Sequence, residues 1–372
     1  MSLAELIDQA PVDPNRDRRE YLGGSLIAHD CPRWIWLSWR WCLSPANEPR
    51  LLRIFEDGHL HESSTLKRLE RFCEVEVRPG SDQVGGSLKD SGGHVQYHVD
   101  NILSGIPNHP GRFLFECKSA SNRSYSSLIR AGSYQAWNEQ YYGQVQFYLG
   151  ALAEQDQELD GAVVLVYNKD TSEYYDEFID FDYSVFDGLK GRAFSILDAE
   201  VPPEREYSRS YYKAKNFMSA DDYAVYFGEA TPIKSNCRNC SFSRLKQTSE
   251  NGLWGCAFHQ KKLSYKEQLD GCADHQWIPE LVPGELVGRT RELATYKSPR
   301  GEINNSKHEG IWHYTSDAIS FLTRTNYGTE DMWDDFETNK LQEIAREFGG
   351  SIEVQPLKKK EKDDDEKNTS GD

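Results

Sequence analysis

Hydrophobic positions along the first half of the chain alternate between helical and extended registers. Over residues 58–69, Glu62, Leu66 and Leu69 stand at i, i+4 and i+7, so the spacing predicts a helix with one carboxylate on its apolar face. An acid on an inward face is costly unless it is paired or bound to a metal. Residues 94–100 alternate with period two: Val95, Tyr97 and Val99 share one face, and His94, Gln96, His98 and Asp100 the other. The polar run 104–111 predicts a turn, and a second strand follows over 112–118. Its Phe113, Phe115 and Cys117 form one face and Leu114, Glu116 and Lys118 the other. The two strands are expected to pair as an antiparallel hairpin, with Glu116 and Lys118 projecting together beside Asp100. Over 140–149, Gln140, Gln144 and Tyr148 share one helical face, while Val145, Leu149 and Leu152 make a core stripe. Residues 161–168 and 173–180 flank a turn and predict a further hairpin.

This mixture of elements predicts an α/β (α+β) domain. The expected organisation is a core with an N-terminal helical part over 1–230, a small Cys-rich segment over 231–280, a region of no legible role over 281–350, and a disordered charged tail over 351–372. Within the third region, residues 330–348 predict an amphipathic helix stopped at Gly349-Gly350. Hydrophobic residues are 38% and aromatics 12% of 372, enough for a folded core. No run approaches 18 apolar residues and residues 1–20 lack a signal-peptide core, so no membrane association is expected. Eight cysteines are too sparse for a disulfide scaffold and read as thiols or metal ligands.

An Asp, an E-x-K on a neighbouring strand and an inward Glu from an earlier helix make a site for a hard cation. Carboxylate oxygens suit Mg²⁺ or Mn²⁺, which keep several waters and take phosphate oxygens as further ligands. Lys118 cannot ligate while charged, but it can orient the attacking water and offset phosphate charge. One or two such ions activate water for in-line attack on a phosphodiester. Singly these residues say little: E-x-K recurs by chance in a chain that is 28% charged, and Asp100 sits beside a turn.

Their order and element types together resemble the PD-(D/E)XK nuclease superfamily, in its RecB-like and CRISPR-associated-exonuclease-like group, nearest to phage exonucleases. The matching positions are Gly58 with Glu62, Val99-Asp100, Glu116-Cys117-Lys118 and Gln144 with Tyr148. The run Tyr167-Asn168-Lys169-Asp170, and Cys31-Pro32-Arg33 with Trp36, are similar to the phage members. The resemblance implies a restriction-endonuclease-like core: a central mixed sheet flanked by helices, Mg²⁺ or Mn²⁺ held by Glu62, Asp100 and Glu116, Lys118 serving the water, and Gln144 assisting. The chain departs from the pattern at Val99, where the namesake motif has Pro. His61 adjoins Glu62, and relatives use either residue type there; Glu62 is favoured because it lies on the leucine stripe.

The expected activity is that of a metal-dependent DNA exonuclease, phage-encoded, acting in recombination, replication or DNA degradation in the cytoplasm of a bacterial host. Its expected partners are single- or double-stranded DNA ends and a recombinase or single-strand-binding protein. The alternatives are a structure-specific or nicking endonuclease on the same fold, and an inactive nucleic-acid- or protein-binding module. The retained set of five site residues speaks against the last.

Cys237-Arg238-Asn239-Cys240 opens a series continued by Cys256 and Cys272. This spacing predicts a tetrahedral structural Zn²⁺ site in a segment with little core of its own. His259 and His275 each follow a cysteine by three positions and are alternative ligands. The rival is a 4Fe-4S cluster, because RecB-like relatives place one Cys before the core, where Cys31 stands, and three after it. Those relatives close with a C-x2-C-x5-C that this chain lacks. Cys42, Cys73 and Cys117 occupy apolar positions and read as core fillers.

The formal charge of −17 by itself argues against nucleic acid as a partner. Its distribution changes that picture. Residues 118–136 carry +3 and 234–246 carry +4, both without an acid, and 205–217 carry +3. The first and last of these windows interleave cations with aromatics, as strand-gripping surfaces do. Arg123, Arg130, Arg209, Lys213 and Lys215 are therefore candidate nucleic-acid contacts, with Tyr125 and Tyr134 beside them. The plain alternative is a solvated loop with core-facing tyrosines.

Overall fold

A computed structural model describes residues 2–8, 18–44, 49–73, 75–78, 84–209, 218–246, 251–298, 301–308, 310 and 313–324. The helices are α1 (Leu3–Asp8), α2 (Gly24–Ile27), α3 (Pro32–Trp39), α4 (Pro49–Phe72), α5 (Asn122–Ala131), α6 (Tyr134–Trp137), α7 (Glu139–Ala153), α8 (Tyr183–Asp198), α9 (Ala220–Phe227), α10 (Tyr265–Asp270) and α11 (Ser316–Arg324). The first strands are β1 (Leu22–Gly23), β2 (Glu76–Val77), β3 (Val84–Ser87), β4 (Val95–Val99), β5 (Asn101–Ser104), β6 (Phe113–Ala120), β7 (Gly161–Asn168) and β8 (Tyr174–Ile179). They are followed by β9 (Ser243–Lys246), β10 (Leu253–Cys256), β11 (Lys261–Leu263), β12 (Glu285–Arg289), β13 (Leu293–Ser298), β14 (Gly301–Ser306) and β15 (His313–Tyr314).

The centre is a mixed five-stranded sheet in the order β2-β5-β6-β7-β8. β6 and β7 are parallel, and their neighbours run antiparallel. A parallel pair needs a crossover; α5, α6 and α7 supply it, placing α7 against the sheet. On the other side, Leu66 and Leu69 of α4 pack on a cluster of Val75, Leu103, Phe113, Phe115 and Val163. The predicted leucine stripe of that helix is therefore its sheet-facing side. The predicted hairpin is β7–β8, paired antiparallel from Ala162↔Ile179 to Tyr167↔Tyr174. The fold is thus α/β with a central mixed sheet flanked by helices.

The strand expected over 94–100 is β4, but its expected pairing is not observed. β4 lies between β1, parallel, and β3, antiparallel, in a separate three-stranded sheet. The chain changes sheet at Asp100, and β5 pairs with β6 through Asn101↔Phe115, Ile102↔Leu114 and Leu103↔Phe113. A single residue separates β4 from β5, so alternation alone reads one extended run and misses the change of partner.

α7 is buried all round from Gly143 to Leu152, as befits a helix between a sheet and other helices. Asn138 caps it, accepting from the Tyr141 amide at 3.1 Å. Two glycines set how close its neighbours come. A Cβ at Gly143 would stand 3.1 Å from the Ala28 Cβ, and one at Gly150 would enter the Phe186 ring of α8. Buried Gln146 is satisfied on both sides, donating to the Asp180 carbonyl at 2.9 Å and accepting from the Asp182 amide at 2.8 Å. The four strands β12-β13-β14-β15 form a further sheet. No helix among the described residues is long and apolar enough to cross a membrane. The stretches 330–348 and 351–372 lie outside the described residues.

Gly150→Ala is expected to destabilise the chain by about 1–3 kcal/mol, because Phe186 is itself buried and packs on buried Phe147. Urea denaturation reads the effect, and an unchanged midpoint would contradict the packing described.

Candidate active site

β6 occupies the middle of the central sheet. Its alternation sends Phe113 and Phe115 under α4 and turns Glu116 toward α7. Glu116 is 1% exposed. Its Oε1 accepts from Lys118 Nζ and, at 3.1 Å, from Gln144 Nε2. Gln144 Nε2 also lies 3.1 Å from Tyr148 Oη, one helical turn on, so the predicted polar face of α7 is the one that meets the sheet. Lys118 Nζ stands 5.1 Å over the Tyr141 ring. The second oxygen of Glu116, Oε2, is buried and has no hydrogen-bond partner.

Asp100 sits where the chain changes sheet, and its Oδ2 accepts from the Cys117 amide at 2.8 Å. Burial pushes its carboxyl well above the ordinary range, and the charges of Glu116 and Glu62 push it further. Glu62, half-buried on α4, is raised chiefly by burial; His59 opposes the rise and Glu116 adds to it. Burial, the largest single influence, lowers the Lys118 ammonium, but Glu116, Tyr134 and Asp100 together outweigh it and hold it well above its usual value. His61 turns away to the Tyr167 ring, with centroids 4.6 Å apart. Glu62, not His61, is the α4 residue whose charge reaches Asp100.

Three carboxylates that repel one another, with a buried oxygen left unpartnered, suit a hard divalent cation. Their oxygens do not all come within 4.8 Å of one another; among the described residues only His259, Cys272 and Asp274 bring three ligand atoms that close. The acids share one electrostatic environment without closing to ligand spacing. Tyr141 escaped the sequence reading, and Tyr134 enters it only beside the candidate nucleic-acid contacts. Tyr141 lies three positions before Gln144, a spacing that would have found it. Tyr134 Oη is buried without a partner, and its ionisation, suppressed first by burial, is influenced next by Lys118.

The candidate nucleic-acid contacts divide. Arg123 and Arg130 are exposed on α5, which starts directly after β6. Tyr125 and Tyr134, expected beside them as stacking surfaces, are buried at 8% and 0% and belong to the core. Arg209 pairs with Glu229 and lies 5.1 Å over Phe227, so its charge is already compensated within the fold. Lys213 and Lys215 lie outside the described residues.

Cys237, Cys240, Cys256 and Cys272 line one cavity of about 10 Å³, room for a single water-sized sphere. Burial pushes the Cys237 and Cys240 thiols up to about 12 and about 11. His259 N lies 3.4 Å from Cys256 Sγ, and the backbone at Phe242 and Gln276 opposes the rise at Cys240, as that at Asp274 does at Cys272. Amide donors favour the thiolate, so the donor set suits a thiophilic cation such as Zn²⁺. His259 Nε2 is 3.8 Å from Cys272 Sγ and 3.5 Å from Asp274 Oδ2. Asp274 lacks the Cys-to-His spacing that marks His259 and His275 in the sequence. His275 is not a ligand: its nitrogens bond Ser316 Oγ at 2.7 Å and Asn239 Oδ1 at 2.9 Å, and burial depresses it to about 4. Cys31 does not line the cavity; its Sγ lies 3.3 Å from Tyr226 Oη. Cys42 is buried and Cys117 packs on the central cluster, but Cys73, one residue past the end of α4, is exposed.

No family model matches the chain, and no curated protein does. Among solved structures it is similar to the alkaline exonuclease LHK-Exo from Laribacter hongkongensis, at 12% identity over 48% of this chain and 87% of that chain, with a TM-score of 0.34. The structure of LHK-Exo in complex with dAMP aligns with the same identity and coverage and a TM-score of 0.35. SSO0001 aligns at 13% identity over 58% of this chain and 93% of that chain, with a TM-score of 0.32.

Lys118→Met, in buffer without added divalent ions, is expected to cost about 2–3 kcal/mol in urea denaturation. That is somewhat below the ~3–5 kcal/mol for breaking a fully buried pair, because Lys118 keeps some exposure. Adding Glu116→Gln to that variant should restore most of the loss, since a neutral amide needs no counter-charge. A double variant as unstable as Lys118→Met would refute the pairing.

Proposed function

We propose that the protein is a metal-dependent nuclease, specifically a DNA exonuclease that hydrolyses phosphodiester bonds at strand ends. The observation that carries this reading is the buried Glu116, joined to Lys118 and Gln144 and set beside Asp100 and Glu62. The geometry supports hydrolysis better than simple binding, because a binding module gains nothing from acids whose charges raise the proton affinity of Asp100 and Glu62. Glu62, Asp100 and Glu116 would hold Mg²⁺ or Mn²⁺. Such an ion, when bound, acidifies water and neutralises charge developing on a phosphate. Lys118, held between Glu116 and the Tyr141 face, has its ammonium fixed and charged, suited to orienting a water or a phosphate oxygen. Gln144 keeps Glu116 Oε1 in place, and Tyr148 keeps Gln144 in place. The motif order supports a phage-encoded enzyme of DNA recombination, replication or degradation.

In the Cys-rich segment we assign a structural Zn²⁺ to Cys237, Cys240, Cys256 and Cys272, with His259 and Asp274 at its edge. The placement of Cys31 against Tyr226 favours zinc over a 4Fe-4S cluster.

Purified protein with Mg²⁺ or Mn²⁺ is expected to degrade linear DNA and spare closed circles. Asp100→Asn and Lys118→Ala should each lower the rate by about 10²-fold or more. Cleavage of closed circles would turn the reading to an endonuclease, and activity surviving both substitutions would remove the site. Metal analysis of protein purified with and without air should find zinc that Cys256→Ser loses. Brown protein carrying iron and sulfide would overturn the zinc assignment.

A further inference from the structure

The turn from Cys256 to His259 leaves β10 at the thiol cavity and places an imidazole on its wall. The His259 amide lies 3.4 Å from Cys256 Sγ. Phe258 pins the turn: its ring meets that of Phe242, with centroids 5.2 Å apart, and the Arg291 guanidinium lies 4.4 Å over it. Arg291 Nη2 also donates to the Phe258 carbonyl at 2.6 Å. The imidazole is thereby held at the solvent side of the cluster, where His259 and Cys272 are exposed while Cys237 and Cys240 are buried. Asp274 is fixed separately. Lys307 Nζ stands 3.3 Å from its Oδ1, and its Oδ2 faces the imidazole.

The ligand atoms of His259, Cys272 and Asp274 all lie within 4.8 Å of one another. His259 Nε2 is 3.8 Å from Cys272 Sγ and 3.5 Å from Asp274 Oδ2. Donors held at about 2.0–2.3 Å by one tetrahedral ion stand about 3.3–3.5 Å apart, so both contacts of the imidazole are already near that spacing. A thiol, an imidazole and a carboxylate also make a catalytic relay, but there the imidazole meets its two partners through opposite nitrogens. Here both meet Nε2. That nitrogen carries one proton at most and can answer only one of them, whereas a cation between the three answers all. Imidazole, thiolate and carboxylate together suit a borderline ion such as Zn²⁺ over Mg²⁺ or Mn²⁺, and three protein donors leave a fourth position open to water.

We propose that His259, Cys272 and Asp274 form an open metal site that takes an exchangeable Zn²⁺, distinct from the structural ion assigned above to the four cysteines. The site shares the Cys272 sulfur with that ion, and in this respect alone it rests on the zinc reading. Because His259 and Cys272 are exposed, water reaches the outer donors directly and an ion there exchanges, whereas Cys237 and Cys240 hold theirs out of solvent.

The test is equilibrium dialysis of the full chain against graded Zn²⁺, with excess Mg²⁺ to occupy the oxygen donors of Glu62, Asp100 and Glu116. Metal is measured before and after return to zinc-free buffer. The parent is expected to take two Zn²⁺ per chain, one that stays in zinc-free buffer and one that leaves. His259→Ala and Asp274→Asn should each weaken the exchangeable ion by at least about tenfold, since losing even an outer-shell partner of a metal costs about 10–100-fold. Both should keep the retained ion, which also shows that they fold. Cys256→Ser should do the reverse, and His109→Ala, which removes an imidazole stacked on Phe178, should change neither ion. A parent with no exchangeable ion overturns the proposal, as does an exchangeable ion undiminished in either His259→Ala or Asp274→Asn, or equally weakened in His109→Ala. Loss of the retained ion in His259→Ala overturns it too, because one ion would then use all the donors. A parent that holds only an exchangeable ion, weakened in His259→Ala, removes the structural assignment and leaves this site standing.

Discussion

A carboxylate in the middle of a mixed sheet, 1% exposed, is the constraint from which the arrangement of the site follows. An ion of that kind loses several kcal/mol of hydration, and only nearby charge and hydrogen bonds offset the loss. Lys118 answers it from two residues along the same strand, the shortest separation that keeps both side chains on one face. Gln144 answers from α7, and its reach depends on how near α7 lies. The same helix takes α2 and α8 against it at two glycines, Gly143 against Ala28 and Gly150 against Phe186. Oε2 alone is left unanswered by the protein, and it is the atom that an exogenous cation would satisfy.

A second buried charge joins the Cys-rich segment to the core. Arg238, between the first two cysteines, is fully buried, with its guanidinium 4.7, 3.9 and 4.9 Å from the rings of Trp39, Trp41 and Trp254. Its hydrogen bonds go to Gln268 Oε1 and the Glu20 carbonyl, both at 2.9 Å, and to the Arg19 and Trp39 carbonyls, both at 3.5 Å. Cation–π attraction is worth most where water is absent, about 2 kcal/mol or more per contact, and three such faces replace the missing counter-ion. Burial depresses its pKa well below the usual value, and its charge in turn helps keep the neighbouring His94 neutral, at about 4. The four-residue Cys237–Cys240 turn therefore serves two structures at once, a thiol cluster on one side and a tryptophan cage on the other.

How far these features were legible in the sequence depends on whether they are local. The α4 stripe, the alternation of β6 and the polar face of α7 each repeat within a single element, and all were readable. The change of sheet at Asp100 was not, because an extended run looks the same whichever partner it pairs with. Tyr125 and Tyr134 stand among cations in the sequence but face the core: at about 100° per residue Tyr125 points away from Arg123, two positions before it, and Tyr134 belongs to the next helix. Arg238 counted as one positive charge in a basic window, although it is among the least exposed residues of the chain. Asp274 and His275 adjoin each other, and only the third dimension shows the acid turned to His259 and the histidine committed to Ser316 and Asn239.

The same distinction between counted and placed charge bears on how an acidic protein could take a polyanion. Of the four cations in residues 234–246, Arg238 is consumed by the tryptophan cage. In 205–217, Arg209 is consumed by Glu229. On α5, Arg123 and Arg130 remain exposed, Arg123 five residues past Lys118. Field at a surface depends on the charges that stay unpaired there and falls off within about 8–10 Å at ordinary salt. A net charge of −17 spread over the rest of the molecule is therefore compatible with a local basic face on α5. It also repels a duplex from every other surface, so that binding, where it occurs, is directed rather than general.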